Sequence, residues 1–279
     1  MAAAAELQQY LAARTEWKEE IDGGKMFGVL VVKDEQSGHL GFLAAYSGLL
    51  AGRNDWQYFV PPVFDSQQPD GYFKTHECEI SAINARISQM QKAPELCALC
   101  SNLADARKHA DAETEAYRQL MKDAKAERDR RRSGPIPPTP DEDAAMKRES
   151  QFQKAELRRI KKRHDEAIRD LRQSLDALEA PIARLKQKRK QMSDDLQHWL
   201  FSQYNILNAK GETCNLCDIF SNTPQGIPPS GAGDCCAPKL LQYAYNHHLH
   251  PLCMAEFWWG QSPKTEIRHH LHYYPACQS

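Results

Sequence analysis

Ser133-Gly134-Pro135-Ile136-Pro137-Pro138-Thr139-Pro140 is the stretch on which the reading of the fold turns. It gathers a glycine and four prolines into eight residues, between long runs of helix formers. Proline has no backbone N–H and glycine weakens a helix, so no helix runs through this segment. Two helical arms, about 95–132 and 141–207, therefore meet here and fold back on one another. Thr139 or Asp141 caps the second arm, which ends before Gly211.

The second arm carries its own periodicity. His164, Ile168, Leu171, Leu175, Leu178, Ile182, Leu185, Arg189, Met192, Leu196 and Trp199 alternate spacings of four and three, the seam of a coiled coil. Pro181 lies inside that run and should kink the helix or leave one ladder bond unmade. At 1.5 Å per residue the arm reaches on the order of 100 Å.

Outside the hairpin the grammar is that of a small mixed domain. Residues 1–20 are Ala/Leu/Glu-rich and predict a helix. Met26–Val32 and Leu40–Tyr46 are apolar, β-branched or aromatic runs joined across Ser37-Gly38, a β-hairpin. Phe59–Val63, with its double proline, reads as an edge strand or extended loop. Beyond Leu207 come a short helix near Leu216–Phe220, a Gly/Pro loop, a helix over about Pro238–His248, and a strand over about Pro251–Trp259. The fold class expected is α+β or α/β: parts 1–75 and 209–279 form one mixed domain, and 76–208 is an inserted antiparallel coiled-coil hairpin.

Composition limits the options. Of 279 residues, 26% are charged and 41% hydrophobic, consistent with much exposed helix. The formal net charge is −1, so nucleic-acid contact has to come from local patches and not from bulk charge. Nine cysteines without a signal peptide or a membrane-length apolar run point to a reducing cytoplasm and no membrane.

Two CxxC pairs, Cys97-x-x-Cys100 and Cys214-x-x-Cys217, have zinc-site spacing. Hairpin geometry separates them: Cys97 lies roughly 39 residues up one arm and Cys214 about twice as far along the other. They read as small apolar fillers. No cofactor is expected, and zinc enters only through Cys235, Cys236 and Cys277. The order hairpin, helix starting Cys-x-Ala, strand, Pro-x-Cys resembles the cytidine-deaminase-like fold, in which zinc binds at two helix N-termini. That chemistry needs a Glu two residues after the first ligand, and Ala237 or Pro238 stands there. The resemblance thus implies at most a catalytically dead zinc domain.

Two further candidate sites lie near the C-terminal end. The Gly231-Ala232-Gly233-Asp234 loop precedes a helix and offers free N–H groups to an anion, or is simply a tight turn. Lys264, Arg268, His269, His270 and His272 stand close to Trp258, Trp259, Tyr273 and Tyr274, a mixture of cations and stacking surfaces such as RNA binders use, or else a solvated loop beside a core tryptophan pair. The arms carry basic clusters at 128–132, 154–163 and 184–190. Interleaved acids make a solvated coiled-coil face the ordinary explanation for most of them, and phosphate-backbone contact the alternative.

Several runs together resemble a known family. They are Lys25-Met26-Phe27-Gly28-Val29-Leu30-Val31-Val32, Phe59-Val60-Pro61-Pro62-Val63-Phe64-Asp65, Ile80-Ser81-Ala82-Ile83-Asn84-Ala85-Arg86-Ile87, Gly226 through Tyr245, Met254-Ala255-Glu256-Phe257-Trp258-Trp259-Gly260 and Ser262 through His270. They are similar to the region preceding the catalytic domain in a long bacterial subfamily of RluA-type RNA pseudouridine synthases. The catalytic Arg-Leu-Asp motif of that family occurs nowhere in the sequence. The resemblance implies an accessory region, with both ends reading as boundaries inside a longer protein. This region would engage and orient structured RNA, ribosomal or transfer, for its own downstream catalytic domain to isomerise uridine. The rival expectation is a protein-interaction or oligomerisation arm, with homodimerisation through the hairpin.

Overall fold

The computed structural model describes residues 1–264 and 266–275. They divide into two compact units, Met1–Ile80 with Gln191–Ser279, and Ser81–Lys190.

The first unit is built on β1 (Lys25–Asp34) and β2 (Leu40–Tyr46), an antiparallel hairpin in which Phe27 faces Tyr46 and Lys33 faces Leu40. β5 (Leu249–Trp259) adds antiparallel to the other side of β1, and β6 (Tyr273–Tyr274) closes the sheet in the order β2-β1-β5-β6. Both faces of β1 are covered, which is why its sequence is nearly continuous in apolar residues. Phe27, Val29, Ala44, Tyr46 and Phe257 turn to one face. There they pack against Leu7 and Leu11 of α1 (Ala2–Ala12), against Trp17 and Ile21, and against Phe59. Met26, Leu30, Val32 and Ala45 turn to the other face and meet Cys236, Leu240 and Ala244 of α7 (Cys236–Asn246). Fully burying each of the larger apolar side chains contributes about 1.5–3 kcal/mol.

The N-terminal segment differs from the single helix expected over residues 1–20. α1 stops at Ala12, a 3-10 turn covers Thr15–Trp17, and α2 (Lys18–Asp22) follows. At the break Arg14 leaves helical geometry and Trp17 drops into the core, 2% exposed, so burying the indole overrides local helix propensity. Phe59–Val63 forms no strand, though the backbone N–H of Val60 donates to Ala44 O at 2.9 Å, alongside β2. A third core cluster joins Phe201, Tyr204, Leu216 and Ala232. It sits by a small hairpin of β3 (Asn205–Leu207) and β4 (Thr213–Asn215), followed by α6 (Leu216–Ser221). The second arm thus ends at Gln203, because 205–207 are taken into a strand that turns at Gly211, where φ is +79°.

The helical segments are α3 (Tyr72–Gln91), α4 (Pro94–Arg132) and α5 (Pro140–Gln203). Ser133–Thr139 joins α4 to α5, and Thr139 is the cap: its N–H donates to Glu142 Oε2 at 2.7 Å and its hydroxyl accepts from the Glu142 N–H at 3.4 Å. Pro140 follows at the first helical position, where its missing N–H costs nothing. Every seam residue from His164 to Trp199 is buried or partly buried. α4 has a matching stripe through Leu96, Leu99, Leu103, Ala106, Ala110, Tyr117, Met121 and Ala124. Its small and polar members hide it from a hydrophobicity reading.

In the second unit the arms are antiparallel, shown by pairs that move apart in sequence away from the loop. Arg132 meets Asp143, Arg128 meets Glu149 and Gln153, and Glu113 meets Arg163 and His164.

Candidate nucleic-acid interface

At the end of β5 the two tryptophans turn to opposite faces. Trp259 packs toward the α1 side and donates from Nε1 to Asp22 Oδ1 at 3.2 Å. Trp258 packs toward α7 and donates to Gln261 O at 2.8 Å. Both are partly buried parts of the fold.

The loop that follows is pinned to them. Backbone N–H groups of Leu271 and Trp258 donate to the Trp258 and His272 carbonyls at 2.6 and 3.0 Å. The hydroxyl of Tyr274 accepts from the His269 N–H at 2.7 Å, and His270 Nδ1 accepts from the Gly260 N–H at 2.9 Å, which leaves its neutral ring protonated on Nε2. Arg268 lies 5.4 Å from the Trp258 ring centroid and 5.1 Å from that of Tyr274, and it is ion-paired with Glu266 at 2.7 Å. Its stacking is spent inside the chain. Of the candidate cations and aromatics in this loop, Lys264, His269, His270, His272 and Tyr273 are exposed. Of these only Lys264 carries a permanent charge.

The Gly231–Asp234 loop is shaped by its contacts with the fold. Gly233 has φ +91°, and a Cβ there would stand 2.6 Å from the Tyr204 ring. Asp234 takes a hydrogen bond from the Tyr204 hydroxyl, whose pKa is raised by burial and then by Asp234. Lys239, 2% exposed, sits 3.7 Å from Asp234 and donates to Tyr46 O and Gly48 O at 3.2 and 3.3 Å. Burial pulls the Lys239 pKa down, against the pull of Asp234. At the N-terminus of α7, Pro238 offers no N–H, and the Ala237 N–H donates to the carboxylate of Glu256. The chain's own Glu256 thus takes an N–H that an external anion would need. Glu256 is 3% exposed, its Oε1 has no partner, and burial raises its pKa. Sequence reading missed Lys239, Tyr204 and Glu256. The visible signal was one acidic residue inside an apolar strand.

Cys235 is the N-cap residue of α7, and the thiol of Cys236 is buried at 3.6 Å from Met26 O and 3.7 Å from Ala45 O. Cys277 lies outside the described residues. Cys97 and Cys100 belong to the second unit, Cys214 and Cys217 to the first. Among the described residues no group of three or more His, Cys, Asp or Glu side chains is placed to hold a metal ion.

The second unit is electrically unlike the first. Ser81–Lys190 holds 26 Lys and Arg against 18 Asp and Glu, whereas the remaining residues hold 10 against 19. A near-neutral chain is therefore a basic helical unit and an acidic mixed one. Within the basic unit many charges are matched along their own helix, as Glu127 with Arg130, Asp143 with Lys147 and Glu156 with Arg159. Across the arms, Arg163 and then His164 hold the Glu113 carboxyl below its usual range.

Comparison with protein-family models, curated proteins and solved structures gives no match to this chain. Among the described residues no helix is long and apolar enough to cross a membrane.

Proposed function

We propose that this chain is the RNA-engaging accessory region of a cytoplasmic RNA pseudouridine synthase, in which it binds and orients structured RNA while a separate catalytic domain isomerises uridine. The observation that carries the RNA-engaging part is the separation of charge, an excess of eight cations on the helical unit against an excess of nine acids on the rest. Phosphate contacts dominate nucleic-acid affinity and are independent of sequence, so a basic, rigid, elongated element suits positioning better than base readout. The family part rests on the runs that resemble RluA-type enzymes, and the missing Arg-Leu-Asp motif assigns the chemistry elsewhere.

The deciding experiment is titration of the chain with a labelled RNA stem-loop at several salt concentrations. Affinity should fall steeply as salt rises, and nucleoside analysis of RNA incubated with the chain should show no pseudouridine. Salt-insensitive self-association without RNA binding would favour an oligomerisation arm, because an apolar seam is little screened by ions.

A further inference from the structure

The cations of the helical unit are not spread evenly along it. No Asp or Glu occurs between Glu79 and Glu95, and none between Glu179 and Asp194. Those two spans place Arg86, Lys92, Arg184, Lys186, Lys188, Arg189 and Lys190 in the unit. Residues 95–179 hold 19 cations against 18 acids, so seven of the excess of eight lie in the two acid-free spans.

The spans are brought level with one another. Glu113 lies opposite Arg163, and Arg132 opposite Asp143. Carried back along α4 and across the break at Ala93 into α3, that mirrored register would set Arg86 and Lys92 beside the basic stretch of α5. Ile87 and Ile182, both buried, are the apolar side chains at this level.

On α5, Arg184 and Lys188 form one i,i+4 row and Lys186 and Lys190 another. The seam residues Ile182, Leu185, Arg189 and Met192 run between the rows. Like charges at that spacing destabilise a helix by a few tenths of a kcal/mol each, and several neighbours elsewhere on the hairpin are instead paired with the opposite sign. Arg86, Lys92, Arg184, Lys186, Lys188 and Lys190 are exposed, and among the described residues none makes an ion pair or a side-chain hydrogen bond. The Nε of Arg189 is buried without an acceptor.

We infer that this belt, Arg86, Lys92 and residues 184–190, is the surface that grips the phosphate backbone of structured RNA, and that the loop at 260–274 is not. The inference rests on the RNA-engaging reading above and gives it a location. The two rows of exposed cations stand on opposite flanks of the seam and supply positive charge for phosphate contacts.

The test uses the full chain and a fluorescein-labelled RNA stem-loop, with anisotropy read at several salt concentrations. Changing Arg184, Lys186, Lys188 and Lys190 together to Gln should weaken binding by at least about tenfold at low salt, and flatten the salt slope by about one unit for each phosphate left without its cation. The same change at Lys154, Arg158, Lys161 and Arg169, which removes equal charge from the balanced part of the same helix, should leave the slope near its parent value. Exchanging Lys and Arg within the belt should restore binding. A parent slope in the belt variant, or equal weakening in both sets, overturns the belt while leaving RNA binding intact. A parent chain that binds no RNA at low salt overturns the functional reading as well.

Discussion

Gly28 and Cys236 approach so closely across the sheet that a Cβ on residue 28 would stand 2.7 Å from the Cβ of Cys236. Gly28 is the position in β1 that lets α7 lie down on the strand. The same hypothetical Cβ would meet Leu240 at 3.2 Å. Gly28→Ala should therefore push α7 away and destabilise the mixed unit by about 1–3 kcal/mol, the usual result of overpacking. Denaturant unfolding followed by tryptophan fluorescence measures it.

Glu256 makes the mixed unit sensitive to pH. Burial raises its folded pKa above 4.5, with the Ala237 N–H and Arg268 opposing. Between the unfolded value and the raised folded value the native state holds a proton that the unfolded state has given up. Stability from this group is thus present below the unfolded pKa and falls as pH rises through the folded one. Glu256→Gln should raise the melting temperature at neutral pH and remove that part of the decline. Melting curves from pH 4 to pH 8 would show it, and parallel curves for parent and variant would refute it.

The hairpin seam is deepest at Ile182, 6% exposed. Ile182→Ala should cost about 2–4 kcal/mol, and Leu171→Ala less, because Leu171 is only partly buried. Arg172→Ala, on the exposed face beside it, should cost little. Helical circular dichroism against temperature reports all three.

Thr139→Ala removes one half of the reciprocal cap with Glu142 and should destabilise the start of α5 by about 1 kcal/mol. Amide exchange should then quicken in the first turn of α5 and not near Leu185.

Arg268→Ala and Lys264→Ala should separate fold from binding. Arg268 is stacked and ion-paired, so its removal should lower the melting temperature, whereas replacing exposed Lys264 should leave it unchanged. Neither variant should alter the salt slope of RNA binding.

The fold was legible wherever one local cause dominated. The Gly/Pro cluster at 133–140 and the four-three spacing after His164 each specify backbone shape alone, and the hairpin follows from them. The stripe on α4 was hidden because alanines, Glu113 and Arg128 occupy inner positions. The N-terminal helix was misjudged because burial of Trp17, a tertiary effect, cuts it. At the site, sequence showed cations and aromatics close along the chain at 258–274, but could not show that Arg268 is used up by Glu266, Trp258 and Tyr274. Nor did proximity along the chain reveal that Tyr204, Asp234 and Lys239 meet.

The mirrored register of α4 and α5 makes the hairpin a ruler. Side-chain pairs fix that register at several levels, from Glu113 with Arg163 to Arg132 with Asp143 beside the Pro-rich turn. Deleting seven residues from both arms together keeps every remaining pair matched and shortens the rod by about 10 Å. Deleting seven from one arm alone leaves the two stripes out of step. The length of the hairpin is therefore a quantity that can be dialled in whole heptads.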